Sequence, residues 1–216
     1  MEVIEMADPI LYGPGFSTYV RTARLALEEK GVRYKLEEFD FLKGMPAEQV
    51  ARHPFSKVPA FEHDGLRLYE TCAIGRYVDE AFDGPDLQPK DPRQRARMTQ
   101  IFSILDSYTY GPVIGKCFIQ RVVTPTLGAQ PDEAVIEAAL PEARKCMEVL
   151  DDLLDGQAFL AGDALSLADL HLIPIYAYFS VTPEGESILK DKAALQRWWQ
   201  GVRVRSSVQA TQPQLG

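Results

Sequence analysis

Apolar residues recur along this chain in two rhythms, and the change of rhythm divides it. Ile10 to Tyr12 form a short apolar run that fits a strand, and Gly13, Pro14 and Gly15 break it. Val20, Ala23 and Leu27 follow at helical spacing and Lys30-Gly31 supplies a stop, so a helix with one apolar face is expected between the loop and Gly31. Ser17 or Thr18 is its expected N-cap, because a hydroxyl there accepts a bond from an orphan backbone N–H. Val32, Tyr34 and Leu36 alternate with polar residues and predict a second strand over Val32–Phe39. Strand, helix and strand in that order imply a right-handed crossover and a parallel pair.

Ala47 to Arg52 reads as a short helix ended by His53-Pro54, since a residue before proline leaves the α region. A third strand begins at Val58-Pro59, Asp64-Gly65 signals a hairpin, and Leu66, Leu68 and Tyr69 mark the return strand. Glu70-Thr71 opens a helix, with Thr71 as expected cap and Ile74, Val78 and Ala81 as its buried stripe. Beyond the Pro-rich linker at 83–92 the period is helical throughout. A long helix is expected from Arg93 to about Val123, bent at Gly111-Pro112, and another from Glu133 to Leu154. Ser166-Leu-Ala-Asp169 forms a capping box with Leu165 and Leu170 as its staple. The helix it starts, Leu167–Phe179, is almost wholly apolar and should be the core of an all-α domain. Lys192 to Val204 reads as the last helix.

Composition adds exclusions. An apolar content of 46% and a charged content of 25% over 216 residues suit a globular chain with a sizeable core. A net charge of −8 argues against a nucleic-acid surface, which needs clustered Lys and Arg. Cys72, Cys117 and Cys146 form neither a metal pattern nor a disulfide framework, which points to a reducing, cytoplasmic setting. Met1–Asp8 is acidic and lacks the order of a signal peptide, and no apolar run is long enough to span a bilayer. His53, His63 and His171 show no ligand spacing, so no metal is expected.

The chemistry-bearing stretch is Tyr12 to Gly31. It holds a hydroxyl at the positive end of a helix beside a loop of small residues, which is a place to put an anion. With Phe16-Ser17-Thr18, Pro54-Phe55-Ser-Lys57-Val58-Pro59, Glu70-Thr71-Cys-Ala-Ile74 and Ser166-Leu-Ala-Asp169 in this order, the sequence resembles the cytosolic glutathione transferases over nearly its whole length. It is most similar to the bacterial and plant classes that use an active-site serine. The resemblance implies a thioredoxin-like α/β domain over residues 1–82 (βαβαββα), a linker at 83–92, and an all-α domain over 93–216.

Carried over residue by residue, the resemblance places Ser17 on the serine that hydrogen-bonds the glutathione sulfur, with Tyr12 as the rival. Val58 falls on the residue whose backbone pairs with the cysteinyl part of glutathione, and Pro59 on a cis-proline. Glu70 and Thr71 fall on the acid and hydroxyl that hold the γ-glutamyl end. Lys57 falls on a tripeptide contact, and Lys43 is placed to reach the glycyl carboxylate. Phe16, Phe102, Tyr108, Tyr110 and Ile114 are the candidates for the electrophile site, between the first loop and the long helix. The resemblance also implies a homodimer, with Phe55 as an aromatic key inserted into the partner. Two departures stand out: Cys72 replaces the usual arginine after the acid–hydroxyl pair, and Arg205-Ser206 replaces a helix-ending Arg-Pro. Cys72 reads as a small packing residue rather than a nucleophile.

The two positions that match a thioredoxin-type Cys-x-x-Cys are Ser17 and Val20, so dithiol exchange has no nucleophile here. The implied reaction is attack by a glutathione thiolate on a small hydrophobic electrophile, with a peroxide oxygen as a secondary target. Glutathione is the co-substrate. A non-catalytic carrier of glutathione or apolar ligands is the alternative.

Overall fold

The computed structural model describes residues 7–40, 43–154 and 156–213, so all but the end of the Met1–Asp8 stretch lies outside the described residues. The chain divides into two compact units, Met1–Gln88 with Ser206–Gly216, and Pro89–Arg205.

The first unit is built on a four-stranded sheet in the order β2-β1-β3-β4. β1 (Ile10–Tyr12) runs parallel to β2 (Lys35–Glu37) and antiparallel to β3 (Ala60–His63), which pairs antiparallel with β4 (Leu66–Tyr69). β2 is shorter than its alternating pattern predicts. A ladder is only as long as its partner, and β1 offers three residues. The β3–β4 turn has Asp64 and Gly65 at φ 48 and 77, the positive pair that a two-residue hairpin needs. α1 (Thr18–Glu29) makes the crossover and buries Val20, Ala23, Leu25 and Leu27. It packs against α3 (Thr71–Ala81), which buries Ile74 and Val78. The short α2 (Ala47–Arg52) lies between β2 and β3 in the chain. At the end of α1 the buried Lys30 ammonium meets the Asp79 carboxylate at 3.3 Å and the carbonyls of Asp79 and Pro85 at 2.9 and 3.1 Å. Those three oxygens satisfy a charge that would otherwise be costly to bury.

The second unit is helical. α4 (Pro92–Ile104) is capped by Asp91, whose carboxylate accepts the amides of Arg93 and Gln94 at 3.0 Å. The helix then widens into π-helical turns over Leu105–Thr109 and Gly111–Val123, and closes in the single turn α5 (Thr124–Thr126). The sequence predicts an ordinary helix bent here. The break is instead taken up by i to i+5 bonding, as from Tyr110 N–H to the Leu105 carbonyl. Pro112 has no N–H to give the Tyr108 carbonyl in α register, and the Cys146 thiol donates to that carbonyl at 3.4 Å. α6 (Glu133–Leu154) carries Cys146 and packs along the π-helical stretch.

α7 (Leu167–Phe179) is the core element, with every side chain except Ala177 buried. Its capping box is more than local. Asp169, wholly buried, accepts bonds from the Leu160 and Ser166 amides at 2.9 Å, the Ser166 hydroxyl at 2.7 Å and the Trp198 indole at 3.0 Å. One carboxylate thus ties α7 to the preceding loop and to the helix that carries Trp198. α8 (Pro183–Leu189) and α9 (Ala193–Val202) complete the unit.

The last helix of the sequence reading stops at Val202, and a further short helix, α10 (Ser206–Ala210), belongs to the first unit. It packs on α1: Arg21 Nη2 donates to the Val208 carbonyl at 3.4 Å and Arg24 Nη2 to that of Ala210 at 3.2 Å. The Ser207 hydroxyl donates to Glu29. The described residues from 206 onwards therefore group with the first unit rather than with the helical domain to which the sequence reading gives them. Among the described residues, no helix is long and apolar enough to cross a membrane.

Candidate active site

Two close approaches assemble the site in the first unit. Gly13, at φ 140, has no room for a side chain: a Cβ there would sit 2.7 Å from Val20 Cγ2 and 3.0 Å from Val58 Cβ. That contact holds the β1–α1 loop against the segment entering β3. Thr71 Oγ1 then donates to the Tyr19 carbonyl at 3.4 Å, which fixes the start of α3 to the first turn of α1. Ser17, Val58 and Thr71 are brought together by these contacts.

Ser17 is the N-cap of α1, with φ −62 and ψ 132, and its Oγ accepts the Val20 amide at 3.5 Å. The bond is long and uses only a lone pair, so the hydroxyl proton remains free to point at an anion. The loop before it is braced by Glu38, whose Oε1 accepts the Gly15 amide at 2.6 Å. Tyr12, the rival, is differently committed. Its hydroxyl donates to Glu62 Oε2 at 3.0 Å, and the Arg52 guanidinium lies 3.9 Å from its ring centroid. Burial first, and the Glu62 bond second, push its phenol above the ordinary value.

The Val58–Pro59 peptide is cis. Gln49 Nε2 steadies its approach by donating to the Lys57 carbonyl at 2.9 Å. Glu70 is the N-cap of α3 at φ 72 and ψ 115, a conformation unusual for a residue with a side chain. The cap therefore falls one residue before the expected Thr71, which is the first helical residue and is buried. The twist leaves the Glu70 carboxylate 65% exposed. Lys57 is exposed, and Lys43, also exposed, pairs with Asp40 at 3.2 Å.

His53 joins this group although its spacing gave no hint of it. It is buried, its ring tilts against Tyr69 at 4.8 Å, and its Nε2 lies 4.0 Å from Glu70 Oε1. Burial pushes the imidazole below its ordinary value, the Glu70 charge and a contact with its own backbone pull it up, and the Lys57 charge pushes it down. Only the pattern His-Pro before the Val58–Pro59 segment could have drawn attention to it.

Two family models match the chain. The one described as glutathione S-transferase, N-terminal domain, covers residues 11–86, and the one described as glutathione S-transferase, C-terminal domain, covers residues 96–205. The chain belongs to the glutathione S-transferase family. Among its relatives, a probable glutathione S-transferase of rice (Oryza sativa subsp. japonica) is 32% identical, over 94% of this chain and 95% of the relative. Glutathione S-transferase I of maize, solved in complex with an atrazine glutathione conjugate, superposes with a TM-score of 0.83 at 29% identity, over 95% of this chain and 96% of that one. A theta-class glutathione S-transferase of Xanthomonas axonopodis pv. citri, solved with glutathione bound, gives a TM-score of 0.84 at 28% identity, over 98% and 100%.

Against that family background the electrophile candidates divide. Phe16, in the first unit, is 52% exposed. In the second unit Tyr108 is 67% exposed and lines a groove of about 770 Å³ with Pro112, Lys116, Pro141 and Cys146. Tyr110 is half-buried. Phe102 and Ile114 are buried, and Phe102 stacks flat on His171 at 4.1 Å. Cys72 is half-buried in the first turn of α3, and Cys117 and Cys146 are buried, with burial raising Cys117 to about 11.

Proposed function

We propose that this chain is a glutathione transferase that stabilises the glutathione thiolate with Ser17 and delivers it to small hydrophobic electrophiles. The observation that carries the reading is the convergence of a half-free hydroxyl at a helix N-terminus, a cis-proline segment and an exposed acid at the start of α3 in one unit. The Val58 backbone takes the cysteinyl part of the tripeptide. Glu70 takes the α-amino group, and Thr71 the γ-glutamyl carboxylate at the start of α3. Lys57 and Lys43 serve the remaining carboxylate and backbone. With both ends held, the sulfur is left at Ser17. The thiol proton passes to solvent, the sulfur forms its bond to the electrophilic carbon, and the leaving group departs from that carbon. Phe16, Tyr108 and Tyr110 are the more accessible of the residues assigned to the electrophile.

The working form in this reading is a homodimer. Phe55 supports it, since its ring stands edge-on to Tyr69 at 6.3 Å yet is left 69% exposed, a large apolar anchor that its own chain covers only in part. The three free cysteines suit a reducing, cytoplasmic setting. The test is ultraviolet difference absorbance of the glutathione thiolate on binding, followed by turnover with a panel of haloarene and peroxide electrophiles. A thiolate signal with turnover supports the reading. Binding of glutathione with neither signal makes the protein a carrier.

A further inference from the structure

Resting on the assignment of Glu70 to the glutathione amino group, we propose that His53 is a positioning residue that gates this contact by pH. Neutral, it leaves the Glu70 carboxylate to the ligand's ammonium; protonated, it competes for that carboxylate and repels the ammonium.

His53 is a buried imidazole set beside an exposed carboxylate. It is 3% exposed, and its Nδ1 is buried with no well-formed hydrogen bond among the described residues, its own backbone adding an upward pull on the ring. A histidine kept only for packing normally has its ring nitrogens satisfied, because each unmet polar atom in the interior is costly. The other nitrogen, Nε2, faces the one carboxylate assigned to the substrate's amino group, at 4.0 Å. That is too long for a hydrogen bond with the neutral ring and short enough for a strong charge interaction with the protonated one. Glu70 cannot swing far on its backbone, since it is held at φ 72 between β4 and α3.

The neighbours on every side leave Glu70 as the group His53 acts on. From β4, Tyr69 presents its ring face at 4.8 Å. From the loop after α2, Phe55 presents an apolar edge at 6.2 Å, and the Lys57 charge opposes protonation. From α2, Arg52 turns away to Tyr12 and pairs with Glu62 at 3.6 Å. Burial holds the imidazole neutral near pH 7 and places its protonation on the acid side of the ordinary value.

Linkage makes the proposal reciprocal. If protonation of His53 weakens ligand binding, the bound ligand must lower the His53 midpoint by the same free energy. The probe is S-methylglutathione, which has no thiol to titrate and carries the same ammonium. Its binding is measured by calorimetry from pH 5 to 8 for the parent, His53→Asn and His53→Gln, and the His53 ring proton is followed by NMR with and without ligand. Expected is a fall of the midpoint by about 0.5–1 pH unit on binding, matching roughly three- to tenfold weaker affinity on the acid side. Both variants should lose that acid-side fall while keeping affinity near pH 8. The inference is overturned if the midpoint does not move, or if parent and variants lose affinity in parallel as pH falls. Should the two variants not fold, the ligand-induced midpoint shift in the parent decides alone. No binding of S-methylglutathione at any pH would instead refute the function proposed above.

Discussion

The most informative perturbation is Ser17→Ala, because it removes one hydroxyl whose two roles can be separated. A free thiol with a pKa near 8.5 is about 3% ionised at pH 7, and lowering the pKa to 7 requires about 2 kcal/mol of selective stabilisation. A hydrogen bond to a charged acceptor supplies about 1.5–3 kcal/mol, and a helix N-terminus about 0.3–1. Losing the hydroxyl should therefore raise the bound thiol by about 1–2 pH units. A rise from 7 to 8.5 cuts the thiolate at pH 7 roughly 15-fold, and kcat/KM with it. The deficit should close above pH 9, where the thiol ionises unaided, and glutathione affinity should barely change. The second role is the cap on α1. At 3.5 Å from the Val20 amide it is weak, so the stability loss should sit near the low end of the range of about 0.5–2 kcal/mol for lost caps. The assay is thiolate absorbance against pH, with a urea melt alongside. Tyr12→Phe is measured in parallel. If Ser17→Ala leaves the bound-thiol pKa in place while Tyr12→Phe raises it, the argument from the committed Tyr12 hydroxyl is wrong.

Glu70→Ala should raise the KM for glutathione at least tenfold with kcat little changed, and unaltered affinity by calorimetry would remove Glu70 from the site. Phe55→Ala should shift the dimer towards monomer by about 2 kcal/mol or more, read by light scattering across a dilution series; a parent that is already monomeric at micromolar concentration would sink the homodimer. Asp169→Ala leaves the Leu160 and Ser166 amides and the Trp198 indole without an acceptor, so a loss of at least about 3 kcal/mol in a urea melt is expected. A loss below about 1 kcal/mol would show that water replaces the carboxylate.

The elements that could be read from the chain are those whose ends carry their own chemistry. Glu133–Leu154 and Leu167–Phe179 match the structure residue for residue, since helical period and caps are local. The hairpin at Asp64-Gly65 was legible for the same reason, whereas the cis bond at Pro59 followed only from the family resemblance. What escaped depends on partners distant in sequence. β2 is cut short by the length of β1, and α10 exists because Arg21 and Arg24 offer donors to its carbonyls. The widening at 105–123 escaped because π and α periods differ little over so few turns, and Cys146 fills the bond Pro112 cannot make from another helix. At the site, the resemblance pointed to Ser17, Glu70 and Thr71, but no residue type announces the positive φ of Glu70. Nor does the sequence show that His53 is buried behind it.

The return of α10 has a consequence for how the protein is made. Arg21 and the Val208 carbonyl it bonds are 187 positions apart, with the whole helical unit between them. The ribosome releases α1 early, yet that helix, which begins beside Ser17, acquires its α10 partners only once the whole helical unit has been synthesised. The first unit is thus begun before the helical unit and completed after it, and a nascent chain stalled within the helical unit would carry the serine on a helix still missing one of its flanks.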